Sequence, residues 1–577
     1  MISFTKRTAF TCVFMLIILS SAIPASCAAS PDNSEMSAYI IDYMKAEYLD
    51  ENLVHPARTE LCAYARSYMG LDPLEEDDSV IKIATPNIVK AEAFYDYYVG
   101  IFSHLSNMPL MQMTSTGSLI GQTAESYEVS EDNTAWTFYI KDDMYWSDGR
   151  KVTPEDIEFT FQYIGTKIAS SEWIGESLVS TSVSDEDNSV TFVFDQPYTN
   201  LNLEFATYNV IPKHIWENID DPEGYTSSGP YVGCGPYYLE EINLDSAKLT
   251  YKKNPHWKGT EPNFENVEIH WFASDSVACM ALESGSMDTY YRYANSYPYA
   301  NVDELLETGD FDVDRQTSIG LTFMAFNLES EPLSDPAFRN AISYAVNYDE
   351  IITYDTNGYG QVPNKGFVPP GMDYYKNTDA LEYNVNTAKS LIADAGYVDS
   401  DNNGIVEDSE GNDITLELLI RDGYDDTAKL MEEYLEDAGV DVEVTQVDSS
   451  TWFDRKDNYE YDLTLSGATP WGMLMHAGWG TGYLDNRRTG KGVLHILGDQ
   501  EFLTLCDNIL ATTDQDELEQ YASDMQDYYA TEMPILPLYW KEVVTPYNKH
   551  FTGWHYNPLF GIYNLDTFLN VKQVAAA

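Results

Sequence analysis

The sequence is poor in basic residues. Its 577 residues include 32 Lys and Arg against 94 Asp and Glu, which gives a formal net charge of −62. A surface of this sign repels phosphate backbones, so nucleic acid is not an expected partner. Two explanations of the acidity stay open: adaptation of a face exposed outside the cell, which we favour, and attraction of cationic ligands or metal ions.

Cysteines are also few, and none has the CxxC spacing of a zinc or thioredoxin-type motif. Four would remain in an exported chain that loses its N terminus, namely Cys62, Cys234, Cys279 and Cys506. An oxidising compartment permits disulfides, but the spacing of these residues assigns no partner to any of them.

The hydrophobic run near the N terminus, Ala9 to Leu19, is shorter than the stretch of about 20 residues that a transmembrane helix needs. It follows two cationic residues and precedes a stretch of small ones, as in a secretory signal. We therefore predict a signal peptide over residues 1–29 and an exported protein, extracellular or periplasmic. Lipid anchoring through Cys27 at the outer face of the cytoplasmic membrane is a weaker prediction, because Pro24 stands where a lipobox has Leu.

Motifs of common enzymes are missing as well. The chain has no G-x-S-x-G elbow and no H-E-x-x-H helix, and Gly490-Lys491-Gly492 lacks the other residues of a phosphate loop. In so acidic a chain a carboxylate pair spaced for glycoside hydrolysis is no evidence for that activity. We predict that the protein is not an enzyme, and keep a secreted glycan hydrolase as the alternative from another class.

Length and composition predict a folded protein of two or three lobes. A single core stops growing at about 250–300 residues, and 44% hydrophobic and 14% aromatic residues are ample for burial. Helical patterns feed directly into strands: one pattern stops at Gly439, and Val440, Val442 and Val444 then alternate. This order indicates α/β lobes whose sheets are covered by helices.

A strand–turn–helix unit is the clearest local pattern. Trp136–Ile140 places its apolar residues on one face of a strand, and Trp146-Ser147-Asp148-Gly149 supplies a turn. Thr153 then caps a helix that has Pro154 at its first position and Asp156 three residues after the cap.

This unit lies in a stretch, Ser118 to Phe161, that resembles the signature region of the oligopeptide-, dipeptide- and nickel-binding proteins of ABC importers. The resembling pieces are Thr123-Ala124-Glu125-Ser126-Tyr127, Trp136-Thr137-Phe138, Trp146-Ser147-Asp148-Gly149 and Val152-Thr153-Pro154-Glu155-Asp156. Further pieces in the family's order are Ile211-Pro212-Lys213-His214, Gly233-Cys234-Gly235-Pro236-Tyr237, Asn254-Pro255-His256-Trp257, Val368-Pro369-Pro370-Gly371 and Pro534 to Tyr539. The ordered series extends over roughly Ile81 to Leu569.

The resemblance implies a two-lobed α/β fold of the periplasmic-binding-protein kind (type II, large peptide-binding class), with an extra subdomain inserted in the first lobe. The implied boundaries are 80–105, 210–318 and 541–577 for lobe I, 106–209 for the inserted subdomain and 319–540 for lobe II. The chain would cross between lobes near Thr322–Phe326 and Leu538–Trp540, as a hinge. Outside the resemblance, residues 30–79 are predicted as a helical extension and acidic linker.

The function that the resemblance implies is capture of a small solute between the lobes, followed by delivery to the permease subunits of an ABC importer. We expect a monomer that binds a peptide, with a nickel or other metal chelate as the alternative. Rigid aromatic walls suit such capture. The candidate ligand-binding residues are Tyr97, Tyr98, Tyr291, Tyr293, Trp471, His476, Tyr539 and Trp540.

One departure from the family concerns the peptide ammonium. Peptide-binding relatives carry an aspartate soon after a Gly-Trp late in the second lobe, whereas Ser466 to Met473 contains no acid here. An ammonium buried without a countercharge costs several kcal/mol. Either another acid serves, or the ligand has no free amino terminus.

A second motif, Asp399 to Glu410, fits the calcium-loop template D-x-[DN]-x-[DN]-G-x5-E at every specified position. The predicted ligands are the side chains of Asp399, Asp401, Asn403 and Glu410 and the carbonyl of Ile405. A plain hydrophilic connection is the alternative. We favour a single structural calcium ion, and no other cofactor is required.

Overall fold

In the computed structural model, one long pair of strands joins two halves of a large sheet. The structure describes residues 79–86, 103–113, 119–168, 172–198, 201–222, 224–227, 229–292, 296–372, 374–468, 499–512, 514–555 and 561–574. All of these residues belong to a single compact unit, Asp78–Ala577. The predicted signal peptide and the predicted extension over 30–79, apart from Ser79, lie outside the described residues.

The strands are short except for two. They are β1 (Val80–Thr85), β2 (Met111–Met113), β3 (Leu119–Gly121), β4 (Ala124–Val129), β5 (Ala135–Ile140), β6 (Leu178–Ser184), β7 (Ser189–Phe194), β8 (Tyr237–Asn243), β9 (Lys248–Lys253), β10 (Asn266–Trp271), β11 (Thr289–Tyr290), β12 (Phe311–Phe326), β13 (Gly360–Gln361), β14 (Thr415–Arg421), β15 (Asp441–Val447), β16 (Leu463–Ala468), β17 (Ile535–Asn548), β18 (Phe551–Thr552) and β19 (Lys572–Gln573).

The helices alternate with these strands. They are α1 (Pro154–Lys167), α2 (Glu172–Ser177), α3 (Leu201–Thr207), α4 (Lys213–Trp216), α5 (Asp275–Glu283), α6 (Val302–Glu307), α7 (Pro336–Ser343), α8 (Tyr348–Thr356), α9 (Val385–Asp394), α10 (Asp425–Ala438), α11 (Ser449–Asp457), α12 (Gln500–Ala511), α13 (Gln515–Glu532) and α14 (Leu565–Asn570). Two short 3-10 turns cover Ser103–Leu105 and Tyr299–Asn301. In the part of the chain that the structure describes, no helix has the length and apolar character needed to cross a membrane.

The main sheet has the strand order β15-β14-β16-β12-β17-β11-β1-β10-β9-β8, with β13 attached to β17. The two long strands, β12 and β17, run antiparallel to each other and carry the sheet from one half to the other. Both crossings implied by the resemblance, near Thr322–Phe326 and Leu538–Trp540, lie within this pair.

The pairing of the two long strands is irregular at one point. Thr317 pairs with Glu542 and Leu321 pairs with Trp540. Three residues of β12 therefore lie opposite one residue of β17, Lys541, which pairs on its other side with Gly360 of β13. Irregularities of this kind bend a strand and re-aim its side chains, and they are common beside binding sites.

In the second half, side chains on the two faces of the sheet enter different cores. Met324 and Phe326 of β12 pack in a cluster with α7, α8, α9 and α10. Phe323 and Ala325, one residue out of phase, pack in a cluster with α12 and α13. The alternation follows from the two-residue period of a strand, and burial on both faces explains why this segment is apolar throughout.

A separate four-stranded sheet, β4-β5-β7-β6, lies under helix α1. The predicted strand–turn–helix unit is confirmed here, because β5 ends at Ile140 and α1 begins at Pro154. The side chain of Asp156 accepts the backbone N–H of Thr153 at 3.0 Å, as in a capping box. Aromatic rings from both layers then fill the core.

Helix ends follow their local signals with one exception. Helix α10 ends at Ala438 and is capped by Gly439, whose φ of +94° is in the left-handed region that favours glycine. Helix α7 begins at Pro336 and ends at Ser343, although apolar residues continue at helical spacing as far as Val346. Asn347 caps α8 immediately afterwards and so starts a new helix, while Val346 stays buried in the turn.

Three of the four cysteines expected in the mature chain are described. Cys234, Cys279 and Cys506 are buried and form no disulfide with one another. Cys62 lies outside the described residues.

Candidate functional site

The carboxyl ends of parallel strands from both halves converge on the crossing. In the first half β1 runs parallel to β10 and β11, and pairing of Thr289 with Tyr547 directs the end of β11 along β17 towards Lys541. In the second half β14 runs parallel to β15 and β16, and Ala468 at the end of β16 pairs with Leu321. Ligands of open α/β sheets bind outside such carboxyl ends.

We call the residues gathered at this point the interlobe site. Its members are Arg292, Asp355, Arg421, Tyr424, Gly467, Tyr539 and Lys541. They come from five segments of the chain: Arg292 and Tyr424 follow strands, Arg421 ends one, Asp355 and Gly467 lie next to the last residue of a helix or strand, and Tyr539 and Lys541 lie inside β17.

Arg292 follows the end of β11. Its Nη1 lies 2.8 Å from a carboxylate oxygen of Asp275, and the hydroxyl of Tyr290 donates to the other oxygen at 2.6 Å. Asp275 is itself the first residue of α5, which Ser274 caps. This chain of contacts holds the guanidinium group at the strand end.

Lys541 lies opposite the irregularity in β12 and is half-buried. Removal from water lowers the pKa of its ammonium group, and the neighbouring Arg292 lowers it further, while Asp355 acts in the opposite direction. Among the described residues, no carboxylate lies within ion-pair distance of this ammonium. The site therefore contains a desolvated cation whose charge is incompletely balanced.

Asp355, near the end of α8, is the carboxylate that faces this cation. The hydroxyl of Thr427 donates to it at 2.6 Å. Burial nevertheless raises the pKa of Asp355. The interlobe site thus contains one acid and one ammonium group that are near each other and unpaired.

Arg421 and Tyr424 line the second half of the site. The guanidinium of Arg421, the last residue of β14, lies 4.4 Å from the ring centroid of Trp452 and 5.9 Å from that of Tyr424. A Cβ atom at Gly467 would lie 3.3 Å from the Tyr424 hydroxyl and 3.4 Å from Lys541 Nζ. The carbonyl oxygen of Leu321 lies 3.4 Å from the same position, so Gly467 borders two donors and one acceptor.

The structure describes three of the aromatic residues predicted to bind ligand. Tyr291 is buried and packs on Tyr563 at a ring separation of 4.7 Å. Tyr539 and Trp540 are 7% and 5% exposed, so they offer a ligand little surface in this structure. Only Tyr539 belongs to the interlobe site. The remaining candidates, Tyr97, Tyr98, Tyr293, Trp471 and His476, lie outside the described residues and stay predictions.

Sequence reasoning missed the charged members of the site. Arg421 had a usable signal, because it ends an apolar strand pattern at the edge where ligands bind. Lys541 and Asp355 had none, since their proximity depends on pairing between β13 and β17, strands almost two hundred residues apart.

The predicted calcium loop folds as a compact turn. One carboxylate oxygen each of Asp399, Asp401 and Glu407 lie within 4.8 Å of one another, and Glu407 is buried. Glu410, the predicted bidentate ligand, is exposed and is not a member of this group. Glu407 joins the group in place of Glu410 because its backbone pairs with Val398. This pairing brings the Glu407 side chain to the start of the loop, where it accepts the N–H of Ser400.

Comparison with known proteins places these features in a family. A family model described as bacterial extracellular solute-binding proteins, family 5 Middle, matches residues 118–489. That span is more than half of the chain. The chain belongs to this family. As a family 5 solute-binding protein, it is built to bind a solute, and the resemblance inferred from its sequence is confirmed.

Individual relatives agree with this assignment. The probable D,D-dipeptide-binding periplasmic protein DdpA of Escherichia coli is 24% identical over 457 residues, which cover 78% of this chain and 84% of the relative. Among solved structures, NikA from Brucella suis in complex with Fe(III)-EDTA matches with a TM-score of 0.74 at 18% identity, over 86% of this chain and all of NikA. The oligopeptide-binding protein AppA from Bacillus subtilis, in complex with a nonapeptide, matches with a TM-score of 0.66 at 18% identity, over 86% of this chain and 99% of AppA.

These matches show the fold of the solute-binding protein. It is the two-lobed α/β fold of the peptide- and nickel-binding class, as the sequence predicted. The two halves of the main sheet are its lobes, and β12 and β17 are the strands that connect them.

Proposed function

We propose that the chain is the exported, substrate-binding component of an ABC importer. It holds a small solute at the interlobe site and delivers it, chemically unchanged, to permease subunits in the membrane. The observation that supports this proposal most directly is the convergence of carboxyl strand ends from both lobes on the irregular point of the β12–β17 pair.

The proposed mechanism is closure of the lobes over the solute. A solute that contacts Arg292 from one lobe and Tyr424 from the other favours the closed form, because its binding free energy includes both sets of contacts. The connecting strands allow this motion at the irregularity opposite Lys541. The permease would then distinguish the closed, loaded protein from the open, empty one.

A peptide is the proposed solute, with a nickel or other metal chelate as the alternative. The names of relatives support both: DdpA is called a probable D,D-dipeptide-binding protein, and another relative is the nickel-binding periplasmic protein of Escherichia coli. A peptide requires a carboxylate for its ammonium group, and the stretch Ser466–Met473 provides none. Asp355 is the described acid placed to serve instead.

Other parts of the proposal concern where the protein acts and how. We propose that it acts as a monomer outside the cytoplasm, extracellular or periplasmic, and that it catalyses no reaction. The family description, which names extracellular solute-binding proteins, supports the location. Anchoring through Cys27 is a further possibility that the N-terminal sequence suggests.

We also propose that the loop from Asp399 to Glu410 binds one structural calcium ion. The proximity of Asp399, Asp401 and Glu407 supports it, because calcium prefers several oxygen ligands at close range. In this arrangement Glu407 takes the place that the motif gives to Glu410.

The experiment that tests the main proposal is mass spectrometry of small molecules that co-purify with the protein. We expect a solute in stoichiometric amount, recovered intact after denaturation, and a melting temperature that falls when it is removed and rises when it is returned. Steady conversion of the returned solute into a product would contradict the proposal and favour an enzyme.

A further inference from the structure

A second group of side chains connects the two halves of the main sheet, on the opposite face of β17 from the interlobe site. Successive residues of a strand point to opposite faces. Lys541 points into the interlobe site, and Glu542, the next residue of β17, points to the other face. We call the residues around Glu542 the hinge cluster. Its members are Tyr299, Arg315, Thr317 and Glu542 from the first half and Tyr359 and Gln361 from the second.

Tyr359 is the member that crosses from the second half to the first. It follows α8 by three residues and precedes β13, and its backbone N–H donates to the carbonyl of Thr356 at 2.9 Å. Its ring nevertheless packs against the core that α5, α6 and β1 form in the first half. The chain thus anchors Tyr359 in one half and places its ring against the other.

The ring of Tyr359 makes two direct contacts with the first half. The ring of Tyr299 stacks on it, with a centroid separation of 5.5 Å and an angle of 9° between the planes. The guanidinium of Arg315 lies 4.9 Å from the centroid of the Tyr359 ring, which is within the range of a cation–π interaction. These contacts persist only while the two halves keep their present orientation.

Hydrogen bonds add a polar part to the hinge cluster. Arg315 Nε donates to the carboxylate of Glu542 at 2.6 Å. From the second half, the side-chain amide of Gln361 donates to Thr317 at 2.8 Å and to the same carboxylate at 3.3 Å. The buried carboxylate of Glu542 therefore accepts from a donor of each half.

Closure of the lobes would act in opposite directions on the two faces of β17. A rotation about the connecting strands that shortens distances between the halves at the interlobe site lengthens them on the other face. The contacts of the hinge cluster would therefore weaken as contacts to the solute form. A contact that is made in only one of two states stabilises that state.

We propose that the hinge cluster stabilises the open form and so lowers the affinity for the solute, with Tyr359 as its main positioning residue. The proposal rests on the capture function proposed above and deepens it, because it assigns control of affinity to residues that do not contact the solute. Part of the free energy of solute binding is then used to separate Tyr359 from Tyr299 and Arg315.

Simple packing of the strand junction is the competing explanation. If the hinge cluster only packs the junction, loss of the Tyr359 ring should lower the melting temperature and leave the affinity for solute and the shape of the empty protein unchanged. Melting temperature, affinity and shape are therefore measured on the same variants.

The test compares Tyr359→Ala with Tyr359→Phe, which keeps the ring stack, and with Gln361→Ala, which removes hydrogen bonds of the cluster without truncating a core side chain. Tyr354→Ala is the matched control, because Tyr354 lies on the adjoining helix α8 and is 65% exposed. Each protein is stripped of solute by partial unfolding and refolding. Its radius of gyration is measured by small-angle X-ray scattering, and its Kd for tryptic peptides of casein and for Ni(II)–L-histidine by equilibrium dialysis.

We expect Tyr359→Ala to bind the probe that the wild type retains with a Kd about three- to tenfold lower, the effect of one lost stacking and cation–π contact. A shift large enough to populate the closed form should also reduce the radius of gyration of the stripped variant. Gln361→Ala should act in the same direction by a smaller factor. Tyr359→Phe and Tyr354→Ala should match the wild type.

The outcomes separate this proposal from the capture function. If neither Tyr359→Ala nor Gln361→Ala lowers the Kd or the radius of gyration, the hinge cluster only packs the junction and the proposal is overturned. A higher Kd or a larger radius in these variants would overturn it as well, because the cluster would then stabilise the closed form. If no protein retains either probe but the radius of stripped Tyr359→Ala is smaller, the hinge cluster is supported and capture of peptides and chelates is contradicted.

Discussion

The inserted four-stranded sheet and the interlobe site differ in what their interiors contain. Under α1 the sheet buries aromatic rings: Phe138, Phe161 and Phe192 all pack on Phe205 or on one another at ring separations of 4.6 to 6.3 Å. At the interlobe site the partly buried groups are Lys541 and Asp355. Burial lowers the pKa of Lys541 and raises the pKa of Asp355, so it favours the neutral form of both.

This contrast fits the proposal that the interlobe site binds solute while the aromatic core supplies stability. An aromatic core gains free energy from every ring it removes from water. Removing a charged group from water without a close partner destabilises the folded state. The fold remains stable because other regions supply the free energy that offsets this cost. Truncating a core ring should therefore lower the free energy of unfolding, whereas replacing the buried lysine with an apolar residue should raise it.

The largest expected effect is in the inserted sheet. Phe138 is fully buried, so Phe138→Ala should lower the free energy of unfolding by about 3–5 kcal/mol through lost burial and a cavity. Urea denaturation measures this, with Phe138→Leu as the control that keeps most of the volume. A loss below about 1 kcal/mol would show that the aromatic core is not what stabilises this region.

A pH dependence sharpens the comparison, because the acid Glu204 is buried in the inserted region. Burial raises the pKa of Glu204 from 4.5 to about 7. The native state thus retains the proton that the unfolded chain releases, so the stability from this group is present below pH 4.5 and is lost between pH 4.5 and 7. The total is about 3 kcal/mol.

Glu204→Gln keeps the shape of the side chain but cannot ionise. The variant should therefore not lose stability as the pH rises from 4.5 to 7. The variant should equal the wild type near pH 4 and exceed it at pH 8 by about 3 kcal/mol in urea denaturation. Parallel stability profiles for the two proteins from pH 4 to pH 8 would contradict the assignment.

The loop from Asp399 to Glu410 should affect stability without affecting capture. Calcium at about ten times its Kd would stabilise the protein by about 1.4 kcal/mol. EGTA should remove this gain, Asp401→Ala should abolish the sensitivity, and Asp408→Ala, outside the clustered carboxylates, should keep it. A melting temperature unchanged by EGTA in the wild type would eliminate the calcium proposal.

The smallest expected effect is at the interlobe site, and its sign is opposite to that in the inserted sheet. Since the folded-state pKa of Lys541 lies below its unfolded value, its charge costs stability at neutral pH, and this cost declines only as pH rises through the folded pKa. Lys541→Met should therefore raise the free energy of unfolding by about 0.5–2 kcal/mol at pH 7. A clear decrease would show that the lysine is structural.

The same two regions show what the sequence could predict. The inserted unit was predictable because its signals are local: Thr153, Pro154 and Asp156 lie within four residues, and the strand pattern from Trp136 precedes them directly. The family and its two-lobed fold followed from an ordered series of such local pieces.

The interlobe site could not be predicted in the same way. Lys541 is one of several polar residues in β17, and Asp355 is one of many acids in an acidic chain. Their proximity depends on β13 pairing with β17 and on the irregularity opposite Lys541. Strand alternation places Tyr539 and Trp540, which were predicted as ligand contacts, in two different cores, and their contact with a ligand stays a prediction.

The central claim is that two lobes close on a solute that leaves unaltered. Small-angle X-ray scattering of the stripped protein, before and after return of its co-purified solute, tests this directly when the solute is weighed again afterwards by mass spectrometry. The account predicts a smaller radius of gyration with solute and a solute of unchanged mass. An unchanged radius at saturating solute, or a solute recovered in pieces, would contradict it.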